Sequence, residues 1–157
     1  MPEMKIQPLY EIPEAVIPIA EYNFNEWGHK RPDDSVEKTI ARIQERLNNR
    51  KPPLTLVAYE NENYIGSATL NIREMIIYPE KEYWLGSLFV VSGYRRRGFG
   101  SLLVSEIENL AKSFSIHELN LYTPNQESLY KKLGWTTDEY VEYEKETVAV
   151  MSKKLKS

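Results

Sequence analysis

The stretch VVSGYRRRGFGSLL, residues 90–103, constrains the fold of this chain more than any other segment. It follows an almost entirely apolar run at 83–91 and leads into a segment whose apolar residues recur at helical spacing from Leu103 to Phe114. This pattern predicts a buried strand, a loop and an amphipathic helix. Because an alternating segment follows at 117–123, we expect a strand–helix–strand crossover at the centre of the domain.

Periodicity along the rest of the chain predicts two helices before this unit and strands on both sides of it. The helical patterns lie at 11–27 and 33–49. The remaining predicted elements are a hairpin of strands 54–60 and 64–72, a short helix at 125–134 that ends at Gly134, and a strand in the alternating tail 140–155. The expected order is ααβββαβαβ, which is a mixed α/β domain.

Three features suggest where the first two helices begin and end. Pro18 should kink the first helix or restart it, because proline lacks the backbone N–H that a helix interior uses. Asp34 and Glu37 are spaced as a capping pair for the second helix. Asn48-Asn49 is interpreted as the exit of that helix.

Length and composition narrow the class of protein. The 157 residues suit one domain spanning residues 1–157. The absence of cysteine excludes disulfides, thiolate nucleophiles and cysteine metal sites. A net charge of -3 argues against a general nucleic-acid binder, and no apolar run is long enough for a membrane span. The start of the chain shows no secretory pattern, so a cytoplasmic location is expected.

The arginine–glycine loop suggests a phosphate site. The first turn of the following helix would offer unpaired N–H groups, and Gly98 and Gly100 would let an anion approach them closely. Arg95, Arg96 and Arg97 add positive charge on an acidic protein, which favours a small anionic ligand. A tight turn with a solvated basic tip is the alternative. Neither the dinucleotide fingerprint nor the P-loop pattern fits this loop.

The run Arg95-Arg96-Arg97-Gly98-Phe99-Gly100 matches R-x-x-G-x-G, and here the chain resembles the GNAT superfamily of N-acetyltransferases. The resemblance covers nearly the whole chain, since LTLVAYENENYIGSATL, WLGSLFVVSGYRRRGFGSLLVSEIE and LNLYTPNQESLYKKLGW follow in the family's order. One departure is Ser92-Gly93, where many relatives carry proline and an acid. The resemblance implies a mostly antiparallel central sheet flanked by helices.

The resemblance also implies a reaction, in which acetyl-CoA donates an acetyl group directly to a primary amine and no metal takes part. Tyr130 would be the general acid for the CoA thiolate. Phe89 and Val90 would pair with the pantetheine arm, and Asn125 would contact the cofactor or else cap its helix. The residues that the resemblance assigns to cofactor binding are Phe89, Val90, Arg95, Arg96, Arg97, Gly98, Phe99, Gly100, Ser101 and Asn125.

The general base and the acceptor remain open at this stage. Glu74, His29 and Glu82 are candidate bases, and a water chain is a further alternative. The expected acceptor is a cationic amine such as a peptide N-terminus, a lysine or a small polyamine, because acidic and aromatic residues are frequent in the two segments expected to line its pocket. The candidate acceptor-binding residues are Trp27, Tyr83, Trp84 and Glu82, with a place in the core as the alternative for the two tryptophans.

Two other classes of function compete with catalysis. A non-catalytic acyl-CoA-binding or sensing module would keep the fold without turnover. A phosphoprotein- or nucleic-acid-binding domain would use Arg95, Arg96 and Arg97, although the acidic net charge opposes it. The expected partners are therefore acetyl-CoA and an amine, without nucleic acid or membrane, in a monomer or homodimer.

Overall fold

The computed structural model describes residues 4–47 and 51–156, which contain seven strands and four α-helices. The strands are β1 (Met4–Pro8), β2 (Leu54–Glu60), β3 (Asn63–Ile72), β4 (Tyr83–Val90), β5 (Glu118–Thr123), β6 (Thr136–Tyr143) and β7 (Glu146–Lys154). The helices are α1 (Val16–Trp27), α2 (Val36–Gln44), α3 (Phe99–Ser113) and α4 (Glu127–Lys132).

The strands form one sheet in the order β1-β2-β3-β4-β5-β7-β6. All neighbouring pairs are antiparallel except β4 and β5, which run parallel because α3 crosses between them. The apolar strand β4 is central, as its composition predicts. The mixed α/β fold with a mostly antiparallel sheet is therefore confirmed.

The structure adds two strands to the predicted order. One is the edge strand β1, which pairs with β2. The other arises because the alternating tail is a hairpin of β6 and β7, joined by a two-residue turn in which Glu144 and Lys145 have φ values of 49° and 67°. Such turns usually contain Asn or Gly, so this sequence gives little sign of a break.

The helix starts differ in detail from those predicted. α1 begins at Val16, so Pro18 lies in its first turn, where the missing N–H would have no acceptor in any case. Ser35 caps α2 by accepting a hydrogen bond from the N–H of Lys38 at 3.1 Å, which corrects the expected cap at Asp34. α2 ends at Gln44, and the expected exit at Asn48-Asn49 lies outside the described residues.

Alternation along the strands builds a core on each face of the sheet. In β2, Leu56 and Ala58 belong to the cluster that includes α3, whereas Val57 faces the cluster formed with α1 and α2. Helices therefore cover both faces, which explains why the central strands are apolar on both sides.

The sheet splits between β4 and β5. These strands pair near their beginnings, at Trp84 and Asn120, and the side-chain amide of Asn120 donates to the carbonyl of Tyr83 at 3.0 Å. Beyond that point the two strands, both fully described, have no further ladder pair. Their C-terminal ends therefore border a gap whose backbone groups are available to a ligand.

Candidate active site

A cavity of about 900 Å³ opens at the split in the sheet. Its glycine-loop end is formed by residues 94–101 and 123–130, which include the first turn of α3 and the start of α4. Its hairpin end is formed by residues 28–31 after α1, the end of α2 and the β6–β7 turn. The C-terminal halves of β4 and β5 lie between the two ends.

The glycine loop leaves the first turn of α3 open toward the cavity. Gly98 has a φ of 86°, a left-handed conformation that glycine adopts without strain, and its carbonyl accepts the N–H of Leu102 at 3.0 Å. A Cβ at Gly100 would meet only the side chain of Val90 among protein groups, at 3.8 Å. The space beside Gly100 is therefore open, and the N–H groups of the first turn are positioned for an anion.

The three arginines of the loop point in different directions. The Nε of Arg95 donates to the carbonyl of Val90 at 2.7 Å, and its guanidinium lies 5.4 Å from the ring centre of Phe89. Arg96 lines the cavity, whereas Arg97 turns away from it and lies over the rings of Tyr94 and Phe99. Two of the three arginines therefore border the cavity.

The strand β4 presents a backbone donor to the gap. It carries one extra residue relative to β3 around Ser87, whose φ is 52°, and such a bulge turns the strand locally. Past the bulge, the N–H of Val91 donates to the carbonyl of Ile65 in β3 at 2.7 Å. Because successive N–H groups alternate between the edges of a strand, the N–H of Val90 points toward the gap.

Tyr130 on α4 lies on the other side of the gap. Its ring is buried and contacts Trp135 edge to face, with a centroid distance of 6.1 Å. Tyr130 lines the cavity, and burial raises the pKa of its hydroxyl, so the group is protonated at neutral pH. It can therefore donate a hydrogen bond or a proton to a developing anion.

Asn125 does not cap α4. The N–H of Gln126 donates instead to Oγ1 of Thr123 at 2.9 Å, and the side chain of Thr123 serves the start of the helix. Asn125 is exposed at the cavity, which leaves its amide available to a ligand.

Glu74 places a carboxyl group inside the cavity. The group rests on Gly86 in β4, where a Cβ would overlap both carboxyl oxygens. Oε2 of Glu74 is buried and has no hydrogen-bond partner among the described residues. Burial raises the pKa of this carboxyl, while Arg46 and Asn71 act in the opposite direction. A buried carboxyl of this kind in a cleft is suited to accept a proton.

Ion pairs hold the loop after α1 against the β6–β7 turn. The Nζ of Lys30 lies 2.5 Å from Oε2 of Glu146, and Nε of Arg31 lies 3.5 Å from Oε2 of Glu144. These contacts close the hairpin end on one side. They also neutralise two acidic residues that line it.

Several predicted site residues meet at the cavity, and others do not. Trp27 lines it and contacts Phe89 at a ring distance of 6.0 Å, and the exposed His29 lies at its rim. Three residues expected at the acceptor pocket lie elsewhere: Trp84 is fully buried with its Nε1 bonded to the carbonyl of Lys81, Tyr83 packs against the main core, and Glu82 is exposed beside Arg73.

Sequence reasoning missed several residues of the cavity, among them Asn23, Arg46 and Tyr122. Asn23 is buried on α1, and its Oδ1 has no hydrogen-bond partner among the described residues. A polar residue on an otherwise apolar helical face is the sequence feature that could have indicated it. Tyr122 faces the cavity because its neighbour Leu121 faces the core. Arg46 follows the C-terminus of α2, and no pattern in the sequence distinguishes it from the neighbouring arginines.

The described part of the chain contains neither a membrane-spanning helix nor a metal-ligating cluster. No helix there is long and apolar enough to cross a membrane. The same residues contain no cluster of three or more histidine or acidic side chains that could hold a metal ion.

The split in the central sheet, the glycine-rich turn and the N-terminus of α3 all lie at one cavity. Residues 16–135 match the family described as Acetyltransferase (GNAT) family, and the chain belongs to that family. The resemblance seen in the sequence is thus confirmed. Comparison with curated protein sequences gave no match.

Solved structures share the fold over nearly the whole chain. A GNAT-family acetyltransferase from Streptococcus pneumoniae is 17% identical, with a TM-score of 0.70 and coverage of 98% of this chain and 100% of that one. An aminoglycoside 6'-N-acetyltransferase complexed with coenzyme A is 16% identical, with a TM-score of 0.76 and 98% coverage of each chain. The yncA protein of Salmonella typhimurium, solved with its cofactor acetyl-CoA, is 16% identical, with a TM-score of 0.74 and coverage of 98% and 95%.

Proposed function

We propose that this protein transfers an acetyl group from acetyl-CoA to a primary amine. The observation that carries the proposal is the split between β4 and β5, which brings a free helix N-terminus, a backbone N–H and a protonated tyrosine to one cavity. Membership of the family and the coenzymes in two structures of the same fold support acetyl-CoA as the donor.

The glycine loop would bind the pyrophosphate of acetyl-CoA. The N–H groups of Phe99, Gly100 and Ser101 belong to the first turn of α3, where a negative charge is favoured. Arg96 would add charge from the rim, and Gly98 lets the chain turn into the helix. Arg97 faces its aromatic neighbours and is left out of the proposed contacts.

The exposed edge of β4 would bind the pantetheine arm as an added strand. Beyond Trp84 this edge forms no ladder pair with β5, which is the geometry that extended ligands use on a sheet edge. The N–H of Val90 would donate to the thioester carbonyl and stabilise the charge that develops on its oxygen. Phe89 supports this edge from the opposite face, where its ring packs against Tyr22 and Trp27. The amide of Asn125 would contact the arm from the start of α4.

The acceptor amine must lose a proton before or as it attacks. An amine of pKa about 10.4 is neutral in about one molecule in 2,500 at pH 7, which costs roughly 4–5 kcal/mol. For an amine of pKa near 8, forming the neutral amine at pH 7 costs about 1.4 kcal/mol. Glu74 is the proposed base, acting directly or through one water, because its carboxyl is buried in the cavity while His29 is exposed at the rim.

The reaction is a single displacement through a tetrahedral intermediate. The amine nitrogen forms a bond with the thioester carbon, its proton passes to Glu74, and the carbon–sulfur bond breaks. Tyr130 gives its proton to the departing thiolate sulfur. The chain has no cysteine to carry an acyl group, so we expect sequential kinetics. An acetylated enzyme that is chased into product would contradict this mechanism.

The test is CoA release from acetyl-CoA, measured by mass spectrometry with two pools of acceptors. One pool holds peptides with free N-termini and lysines, and the other holds polyamines, aminoglycosides and amino acids. Tyr130→Phe should lower kcat about 100-fold, as expected for loss of a general acid, and change acetyl-CoA affinity little. Binding of acetyl-CoA without turnover in either pool would favour the non-catalytic acyl-CoA-binding module instead.

A further inference from the structure

Most charged groups that line the hairpin end of the cavity already have an ion-pair partner. Two groups of opposite charge, Arg46 and Glu74, have no ion-pair partner among the described residues. The pairs are Lys30 with Glu146 at 2.5 Å, Arg31 with Glu144 at 3.5 Å, and Arg42 with Asp34 at 2.9 Å.

Arg46 is held inside the cavity wall by neutral groups. Its Nη1 lies 3.4 Å from Oγ1 of Thr69 and 3.5 Å from Oγ of Ser87, which are long contacts for hydrogen bonds. No described carboxylate oxygen lies within 4.0 Å of its guanidinium. A guanidinium is always charged, and leaving such a charge half-buried without a counter-ion is unfavourable. The site is therefore suited to bind an anion.

Glu74 does not fill that role. It interacts electrostatically with Arg46, but no nitrogen of Arg46 lies within 4.0 Å of its carboxyl oxygens. The carboxyl is instead held over Gly86, on the strand that borders the gap. The cavity thus offers one cationic group and one carboxyl group at separate positions, both facing the same space.

Of the four acidic residues that suggested a cationic acceptor, Glu26, Glu74, Glu80 and Glu82, only Glu74 is buried inside this space. Glu80 and Glu82 are exposed outside the cavity lining. Glu26 lies at its rim, 3.7 Å from the guanidinium of Arg95. Their charge therefore gives little reason to expect an acceptor without an anionic group.

We propose that the acceptor is a small amino acid, whose carboxylate binds Arg46 while its amine is directed toward Glu74. This assignment rests on the proposed acetyl transfer and deepens it. A carboxylate matches the fork of a guanidinium, with which it forms charge-assisted and often bidentate hydrogen bonds. An α-amine also has a lower pKa than a lysine side chain, so less free energy is needed to deprotonate it.

The experiment compares acceptors that differ at one group. Three matched pools contain the proteinogenic amino acids, their C-terminal amides and their decarboxylated amines, and a fourth contains aminoglycosides. With wild-type enzyme, we expect kcat/KM to be at least about 10-fold higher for the best amino acid than for its amide or amine. Equal or higher values for the analogues that lack the carboxylate, or acetylation of aminoglycosides alone, would overturn the proposal while leaving acetyl transfer intact.

Variants of Arg46 test whether this residue binds the carboxylate of the acceptor. Arg46→Gln should lower kcat/KM for the amino acid roughly 10- to 100-fold and leave the value for its amide nearly unchanged. Arg46→Lys should recover part of the loss, since it restores the charge without the fork. Arg42→Gln is the matched control: its guanidinium is already paired with Asp34, so the ratio between acid and amide should stay as in wild type.

The outcomes separate the two proposals. If no pool is acetylated although acetyl-CoA binds, the proposed function fails and the acceptor assignment fails with it. If amino acids are acetylated but Arg46→Gln lowers acid and amide equally, Arg46 serves the fold or Glu74, and the assignment of its role is overturned.

Discussion

At the scale of single residues, the site depends on a carboxyl that the fold holds in an unfavourable place. Glu74 is directed into the cavity, its Oε2 has no partner among the described residues, and burial raises its pKa. Such a group favours the protonated form, so its ionisation at neutral pH opposes folding. Function explains this arrangement better than stability does, because a carboxylate with a raised pKa accepts a proton more readily than an ordinary one.

The pH dependence of Glu74 can be predicted in sign. A folded-state pKa above the unfolded value contributes stability at low pH, which is lost as the pH rises through the folded pKa. Glu74→Gln should therefore raise Tm at pH 8 relative to wild type, and the difference should shrink as the pH falls from the raised folded-state pKa toward the ordinary glutamate pKa. Thermal unfolding measured between pH 4 and pH 8 tests this, with Glu80→Gln as an exposed control.

The same variant should change the kinetics in the opposite direction. Wild-type kcat/KM should fall at acidic pH both because the amine is protonated and because Glu74 is protonated. In Glu74→Gln, kcat/KM should be lower than in wild type at every pH, by about 100-fold at its maximum. The part of the acidic decrease that is caused by protonation of Glu74 should be absent from the pH profile of this variant. If the two profiles have the same shape, Glu74 is not the base.

Gly86 is the residue that lets Glu74 lie on the central strand. An alanine methyl at this position would overlap the carboxyl oxygens of Glu74 and force the group to move. We therefore expect Gly86→Ala to lower kcat about 10-fold or more while acetyl-CoA binding stays within a few-fold, because displaced catalytic groups lose most of their effect. Single-turnover kinetics and isothermal titration measure the two quantities. A parallel loss of acetyl-CoA affinity would instead mean that the whole strand has shifted.

At the scale of elements, the first turn of α3 provides a sharper test of cofactor binding. The protein leaves the space beside Gly100 open, so a larger side chain fits the fold but enters the region assigned to the pyrophosphate. Gly100→Gln should weaken acetyl-CoA binding at least about 10-fold with the Tm of the free protein nearly unchanged. Gly93→Gln is the control, because a Cβ there meets nothing within 4 Å. Equal affinities in both variants would place the pyrophosphate elsewhere.

The burial pattern of each element explains how well the sequence predicted that element. β4 and α3 were predicted well because β4 is apolar on both faces and α3 has one apolar face. β1 was missed because it is a short edge strand that ends in Pro8, with an alternating pattern too brief to distinguish from a loop. The β6–β7 turn was missed because Glu144 and Lys145 are unusual residues for its left-handed geometry.

The site was predictable where it depends on local sequence and unpredictable where it depends on packing. The glycine loop and Tyr130 lie in local motifs, and the structure brings both to the cavity. Trp84 was misplaced because an aromatic residue at a strand start suits a pocket wall or a core equally well. Arg46 reaches the cavity through the packing of α2 on the sheet, a contact between distant segments that periodicity does not encode.

At the scale of the whole molecule, the split makes the sheet incomplete until a ligand fills it. β4 and β5 pair at one position, so a ligand that pairs with the edge of β4 would add contacts between the two halves of the sheet. Binding that is restricted to the folded state raises stability by mass action. At 100 times its dissociation constant, CoA should add about 2.7 kcal/mol, which corresponds to roughly 5–10 °C in Tm for a chain of this size.

The fragments of CoA separate the contributions of the two ends of this ligand. Pantetheine would occupy the edge of β4 but lacks the pyrophosphate, so at the same concentration it should raise Tm much less than CoA does. Gly100→Gln should remove most of the difference between the two ligands, because it blocks the site that only CoA uses. Differential scanning fluorimetry of wild type and the variant with both ligands is sufficient. Equal shifts with CoA and pantetheine in wild type would mean that the first turn of α3 contributes little to binding.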